Sequence, residues 1–491
     1  MIPTIKKLSR VATGAHQIFL IEDTFEIKTG KAQKSGPGGF KFDQETAALA
    51  DKAMALAIPA GRDHAVMHGL TGLRVFVFLK PMQDSDEQNE NLRLLGDKLR
   101  KPMQDAGVTK ICIRYPGENP DIPLALAEGM ALGSYAYARY KTRQEQEETR
   151  LEEIGIVAHK VTDSRTEILQ VFLESTAWAR DLGNEPLNKL GATGLAETIK
   201  ENTRTLGVRV EIFNKKRIES LRMGGLLAVN RGSVDPPSFS ILEWKPANAV
   251  NPKPIVLVGK GVVFDTGGIS LKPANNMEEM KADMAGAAAV AAVMMAVARL
   301  QWPLYMVALI PATDNRPHGN AYVPGDVITM YDGSTVEVIN TDAEGRMILA
   351  DALAYAKQYD PMLVVNLATL TGSAARATGK QASIGMHAEA AEWFNRLKLA
   401  GEVCRERLVE MPMWKEYDEM LRSEVADIRN VGGPEAGAIT AGIFLKRFTS
   451  YPFIHLDIAG TAYVSKRYNY RGIGATGKGV RLLLHFLQQL L

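Results

Sequence analysis

The sequence predicts an α/β protein, with a smaller N-terminal α/β domain and a larger C-terminal domain built on a mostly parallel central sheet flanked by helices. Strand-like and helix-like stretches alternate from residue 168 to the C-terminus. Such alternation implies parallel strands joined by helical crossovers. Several of the strands, such as 255–258 (IVLV), are unbroken apolar runs, as expected where both faces of a sheet are covered. At 491 residues the chain also exceeds one ordinary domain.

Taken in order, 74–79 (RVFVFL) and 110–114 (KICIR) read as buried strands. Between them, 89–106 places Leu92, Leu94, Leu95 and Leu99 at helical spacing, and 124–140 is a second helix rich in Ala and Leu. These elements form the first domain, residues 1–150, which carries no catalytic constellation. The run 141–153 (KTRQEQEETRLEE) mixes charge signs and suits i to i+4 pairing on a solvated helix. Residues 151–175 are accordingly expected to be a linker helix region, with the domain boundary near 145–165. The second domain, 176–491, starts from a helix over 168–182 that ends at Asn184-Glu185-Pro186. Its expected strands are 208–213, 239–244, 254–258, 305–310, 362–367 and 453–456. The glycines in 223–229 permit close backbone approach. The apolar run 285–298, bounded by Asp283 and Arg299, has the length of a core helix and is too short for a membrane span.

Hydrophobic residues at 46% and charged residues at 23% are ordinary for a globular protein. A net charge of +2 implies no polyanionic partner. Two cysteines, Cys112 and Cys404, exclude a multi-thiolate zinc site and fit a reducing compartment. The first 20 residues lack an apolar h-region, so a cytoplasmic location is expected.

The chemistry concentrates in 340–346 (NTDAEGR), which follows the β-branched run 336–339 and precedes a stretch with helical spacing. Asp342 and Glu344 lie two residues apart, so in extended chain both point to one side. Their mutual repulsion would be relieved by a cation. A helix cap is the plain alternative. Upstream, the strand at 256–258 runs into Lys260 and Asp265, followed by Lys272, Met280 and Asp283. Taken singly, Asp265 suits a turn former, Asp283 an N-cap and both lysines solvent exposure. Taken together, Asp265, Asp283, Asp342 and Glu344 are four carboxylates at element ends. An oxygen-rich set of that kind suits magnesium, manganese or zinc, and four carboxylates suffice for two ions.

These stretches closely resemble the leucyl aminopeptidase family (M17), di-metal exopeptidases. The resemblance rests on 258–268 (VGKGVVFDTGG), 280–284 (MKADM) and 340–346, with support from 180–186 (RDLGNEP), 366–372 (NLATLTG) and 455–462 (HLDIAGTA). It runs from about residue 180 to the end; the N-terminal part matches only in size and character. The resemblance implies that Lys260, Asp265, Asp283 and Glu344 hold the more exchangeable ion. Asp265, Asp342 (side chain and backbone carbonyl) and Glu344 hold the other. It further implies that Lys272 stabilises the oxyanion during attack by a metal-bridging hydroxide. Arg346 holds a bicarbonate general base, and Met280, Thr369 and Gly372 shape the pocket for the first side chain. The implied ions are Mn²⁺ or Zn²⁺, with Mg²⁺ or Co²⁺ at the exchangeable site. The implied activity is release of N-terminal Leu and similar apolar residues from peptides, by a homohexamer arranged as a dimer of trimers. Some bacterial members also bind DNA, for which the net charge here gives no support.

Other motifs carry less. Residues 472–478 (GIGATGK) follow a phosphate-loop pattern, but Gly479 replaces the Ser or Thr. His387-Ala388-Glu389 lacks a following P-C-x-x-C, and neither H-E-x-x-H nor G-x-S-x-G occurs. His455 reads as a core residue. A two-metal phosphoesterase needs similar carboxylates, but Lys260 and the absence of histidine from the cluster weigh against it.

Overall fold

The computed structural model describes residues 2–12, 14–22, 42–70, 72–80, 82–142 and 150–491. The chain forms two compact units: Met1–Glu174 with Arg467–Gly472, and Ser175–Lys466 with Ile473–Leu491. Sheets rich in parallel strands and covered by helices make both units α/β, as the alternation predicts.

The first unit contains β1 (Thr4–Lys7), β2 (His16–Glu22), β3 (His64–Gly69), β4 (Gly72–Leu79), β5 (Lys110–Arg114) and β6 (Glu153–Val157). Their order is β1-β6-β5-β2-β4-β3, parallel except for β3 against β4. The two-residue period of a strand sends neighbouring side chains to opposite faces. Ile18 and Leu20 therefore join one core with the helices Ser85–Asp105 and Asp121–Gly133. Phe19 and Ile21 join a second core with Ala50 and Ala53 of the helix Gln44–Ala57.

The expected linker helix takes a different form. Of the charged run 141–153, residues 143–149 lie outside the described residues. From Glu153 the chain is the strand β6, whose short apolar core inserts between β1 and β5. A helix begins only at Asp163 and continues to Asn184. Ile154 and Ile156 are fully buried, so burial of that pair outweighs the helical bias of the charges before it.

The second unit adds β7 (Arg209–Phe213), β8 (Ser238–Trp244), β9 (Ile255–Gly259), β10 (Gly261–Asp265), β11 (Met306–Asn315), β12 (Val327–Thr329), β13 (Thr335–Glu337), β14 (Leu363–Ala368), β15 (Ser383–Ala388), β16 (Leu408–Glu410), β17 (Ile428–Arg429) and β18 (Phe453–Asp457). The main sheet runs β16-β15-β18-β14-β9-β11-β8-β7, with β10 continuing beside β11. The central strands β18, β14, β9 and β11 are mutually parallel. Strands β12, β13 and β17 form a separate small sheet. The stretch Met277–Arg299 is long and apolar enough to cross a membrane, but most of it is buried inside the protein. Its alanine-rich helix Ala285–Arg299 packs on β9 and β14. Gly286 makes that approach close, since a Cβ there would overlap the Leu367 carbonyl. The segment 223–229, read as glycine-bearing chain, is the short helix Gly224–Asn230.

Candidate metal centre

The candidate side chains come from element ends and from the loops and turns between them. Lys260 interrupts the line from β9 to β10: its amide donates to the Leu367 carbonyl at 3.0 Å, and its own carbonyl accepts from Ala287 at 2.9 Å. Its side chain is thereby turned inward beneath Gly345, where a Cβ would come 2.8 Å from Nζ. Asp265 closes β10, ahead of Gly267 and Gly268, whose φ values of 86° and 65° suit glycine. Asp283 ends the 3₁₀ turn Met277–Ala282. The residue in the N-cap position of the following helix is Met284, and the Asp283 carboxylate accepts from Lys260 Nζ and from Thr369 Oγ1 at 2.7 Å. Asp342 lies in a turn, and Glu344 is the first residue of the helix Glu344–Ala356. They converge through that turn and not as neighbours along an extended strand, because β13 ends at Glu337.

A polar frame fixes this turn. Asn430 accepts from the amides of Ile339 (2.7 Å) and Asn340 (3.3 Å) and donates to the Asn340 carbonyl at 2.8 Å. Thr341 Oγ1 donates to the Gly267 carbonyl at 2.7 Å, joining the two motif loops. Asn315 donates to Asp265 at 2.9 Å and to the Thr341 carbonyl at 3.1 Å. Asn315 and Asn430 escaped the sequence reading because their partners are remote in the chain and no local spacing marks them.

Lys260, Asp265, Lys272, Met280, Asp283, Asp342, Glu344, Arg346, Thr369 and Gly372 all line one cavity of about 650 Å³. Lys260 Nζ stands 2.6 Å from Asp283, 2.9 Å from Glu344 and 2.9 Å from the Thr369 carbonyl. Lys272 Nζ lies 2.7 Å from Asp265 and also contacts Asp342. Oxygens of Asp265, Asp342 and Glu344 lie within 4.8 Å of one another, close enough to share an ion. Arg346 donates to the Asn430 carbonyl at 2.7 Å, while its buried Nε has no hydrogen-bond partner among the described residues. His455 is fully buried beside Asn366, as a core residue should be.

Four carboxylates thus face two ammonium groups, and proton affinity rises on both sides. Burial acts to depress the Lys260 and Lys272 ammoniums, but the surrounding carboxylates outweigh it and hold both above the ordinary lysine value. Burial, then Asp265 and Glu344, push Asp342 up to about 6 against the pull of Lys272. Burial and the same crowding raise Asp283 well above the usual carboxylate range. A cluster that attracts protons this way carries surplus negative potential, which divalent cations would neutralise. One oxygen of Glu344, buried and without a hydrogen-bond donor among the described residues, fits that need.

A parallel-rich α/β unit with an acidic, lysine-bearing cavity at the carboxyl ends of its strands defines a metal-dependent hydrolase. The catalytic-domain model of the cytosol aminopeptidase family, Peptidase_M17, matches residues 177–484. The chain belongs to that family of metal-dependent exopeptidases. It is 43% identical over 408 residues to a probable cytosol aminopeptidase of Geobacter sulfurreducens, covering 82% of each chain. It is 41% identical over 412 residues to one of Roseiflexus castenholzii, covering 82% of this chain and 84% of that one. Among solved structures, the bottromycin maturation enzyme BotP in complex with Mn superposes with a TM-score of 0.82 at 29% identity, covering 97% of this chain and 99% of that one.

Proposed function

We propose that the chain is a leucyl-type aminopeptidase working with two divalent cations. The surplus of buried carboxylates over lysines carries this reading. Lys260, Asp265, Asp283 and Glu344 would hold the more exchangeable ion. Asp265, Asp342 (side chain and backbone carbonyl) and Glu344 would hold the second, with Mn²⁺ or Zn²⁺ the expected metals and Mg²⁺ or Co²⁺ admitted at the exchangeable site. Such ions supply Lewis acidity and a water nucleophile at neutral pH.

The two lysines divide the remaining work by exposure. Lys260 is 2% exposed and enclosed by acceptors, which suits a ligand. The Lys272 side chain is 22% exposed to the cavity, which suits a group that meets the substrate carbonyl and takes up its developing charge. Arg346, whose Nε has no hydrogen-bond partner among the described residues, is the residue to hold bicarbonate, and a bicarbonate there would supply a general base. Met280, Thr369 and Gly372 border the space for the first side chain, preferentially Leu and similar apolar groups. A homohexamer, a dimer of trimers, and a cytoplasmic location complete the reading; the two buried free cysteines and the relatives' names support the latter.

Hydrolysis of leucine p-nitroanilide tests it. The expected result is release that is lost on chelation, restored by Mn²⁺ or Zn²⁺, and abolished in Glu344→Ala. No release with Mn²⁺, Zn²⁺, Co²⁺ or Mg²⁺ overturns the proposal.

A further inference from the structure

The cavity wall carries a cation that the metal centre and the oxyanion do not use. Arg376 lies on the short helix Gly372–Thr378, is exposed, and lines the cavity together with Gly372 and Ser373. Among the described residues its guanidinium makes one polar side-chain contact, Nη2 donating to Ser373 Oγ at 3.3 Å, and no ion pair. The other cations of the cavity differ: Lys260 and Lys272 are each held by two carboxylates, and Arg346 is buried on the Asn430 carbonyl. The acidic Glu279 lines the same cavity without pairing to Arg376. The arginine arches over Gly372, where a Cβ would come 3.2 Å from Nη1. Glycine there leaves the space beneath the guanidinium open.

A guanidinium offers five donors in a planar fork that matches a carboxylate, and it stays charged at any working pH. We propose that Arg376 is a specificity residue that receives a carboxylate of the bound peptide, so that an acidic group near the scissile bond raises kcat/KM over its uncharged isostere, within the preference for apolar first residues. The inference rests on the aminopeptidase reading. Two sources offer the same chemistry: an acidic side chain on the first residue, or the terminal carboxylate of a dipeptide. Because Arg376 is exposed, water screens the pair, and the gain is smaller than for a buried contact.

The test compares wild type, Arg376→Ala and Arg376→Lys as Mn²⁺-loaded full-length enzymes, each checked for an unchanged Tm. One substrate pair is Leu-Gly against Leu-Gly amide; the other is Glu-Gly amide against Gln-Gly amide. In Arg376→Ala, the kcat/KM ratio within at least one pair should fall about 5- to 10-fold in disfavour of the carboxylate, with part of it restored by lysine. A fall in the first pair assigns the terminal carboxylate, and a fall in the second assigns the side chain. If the alanine variant fails to fold, Arg376→Gln, which keeps bulk without charge, should show the same fall. Ratios within about twofold of wild type in both pairs, with turnover intact, overturn this inference alone. Absence of wild-type turnover on all four substrates overturns the aminopeptidase reading and this inference with it.

Discussion

Charge placement decides most of the chemistry at the scale of single residues. Lys272 reaches the cavity from the loop that also carries the two left-handed glycines, Gly267 and Gly268, and the proposed mechanism puts the substrate carbonyl beside its ammonium. If it acts on the oxyanion, Lys272→Ala should lower kcat by about 10²–10³. KM should change little, because an oxyanion contact forms only in the transition state. An equal rise in KM with unchanged kcat would instead make Lys272 a binding residue. Gly345 has a comparably specific part: its missing Cβ is the space the Lys260 chain occupies. The exposed Arg376, by contrast, is held by a hydrogen bond to Ser373 and leaves most of its donors open to the cavity.

The elements owe their positions to contacts far apart in sequence. The turn bearing Asp342 and Glu344 hangs from Asn430, which is fully buried and satisfies three backbone groups. Asn430→Ala strands those groups, and the expected cost is about 2–4 kcal/mol together with a loss of metal affinity. A variant with wild-type stability and metal titration would show that the turn holds itself. The contrast between motif and scaffold explains what could be read from sequence. Strands β5, β9 and β14 were legible because buried parallel strands are nearly continuous apolar runs. The four carboxylates and two lysines were legible as one set through the resemblance of their motifs to the leucyl aminopeptidase family, since taken singly each suits a cap, a turn or an exposed surface. Strand β10 was not, since Gly259-Lys260-Gly261 breaks the apolar run that marks a strand. Strand β6 was hidden because its neighbours in the sheet, β1 and β5, come from distant sequence, while the adjacent charges favour a helix. The separate sheet of β12, β13 and β17 leaves almost no signal in strands of two or three residues.

For the whole molecule, stability should report both on the core and on the metal centre. Burial, aided by Arg346, pulls the His455 imidazole down to about 3 from 6.5. The folded protein therefore keeps His455 neutral while the unfolded chain takes up a proton below pH 6.5. Stability from this group is full above pH 6.5 and is lost as pH falls toward 3, by at most about 1.4 kcal/mol per pH unit. Urea unfolding at pH 7, 6 and 5 should show that slope, and it should flatten in His455→Gln. The metal centre imposes a second demand for deprotonation, in the same direction. In the proposed ligand set the carboxylates would have to release protons, and Lys260 become neutral, before they could ligate an ion. Added Mn²⁺ should therefore raise the Tm of chelator-stripped protein, by about 2.7 kcal/mol of stability at a hundredfold excess over Kd. The increment should be larger at pH 8 than at pH 5, and smaller in Asp283→Asn at either pH. An increment that is the same at both values would place Mn²⁺ on groups that do not titrate, outside the carboxylate cluster. That result would sink the metal assignment even if activity survived.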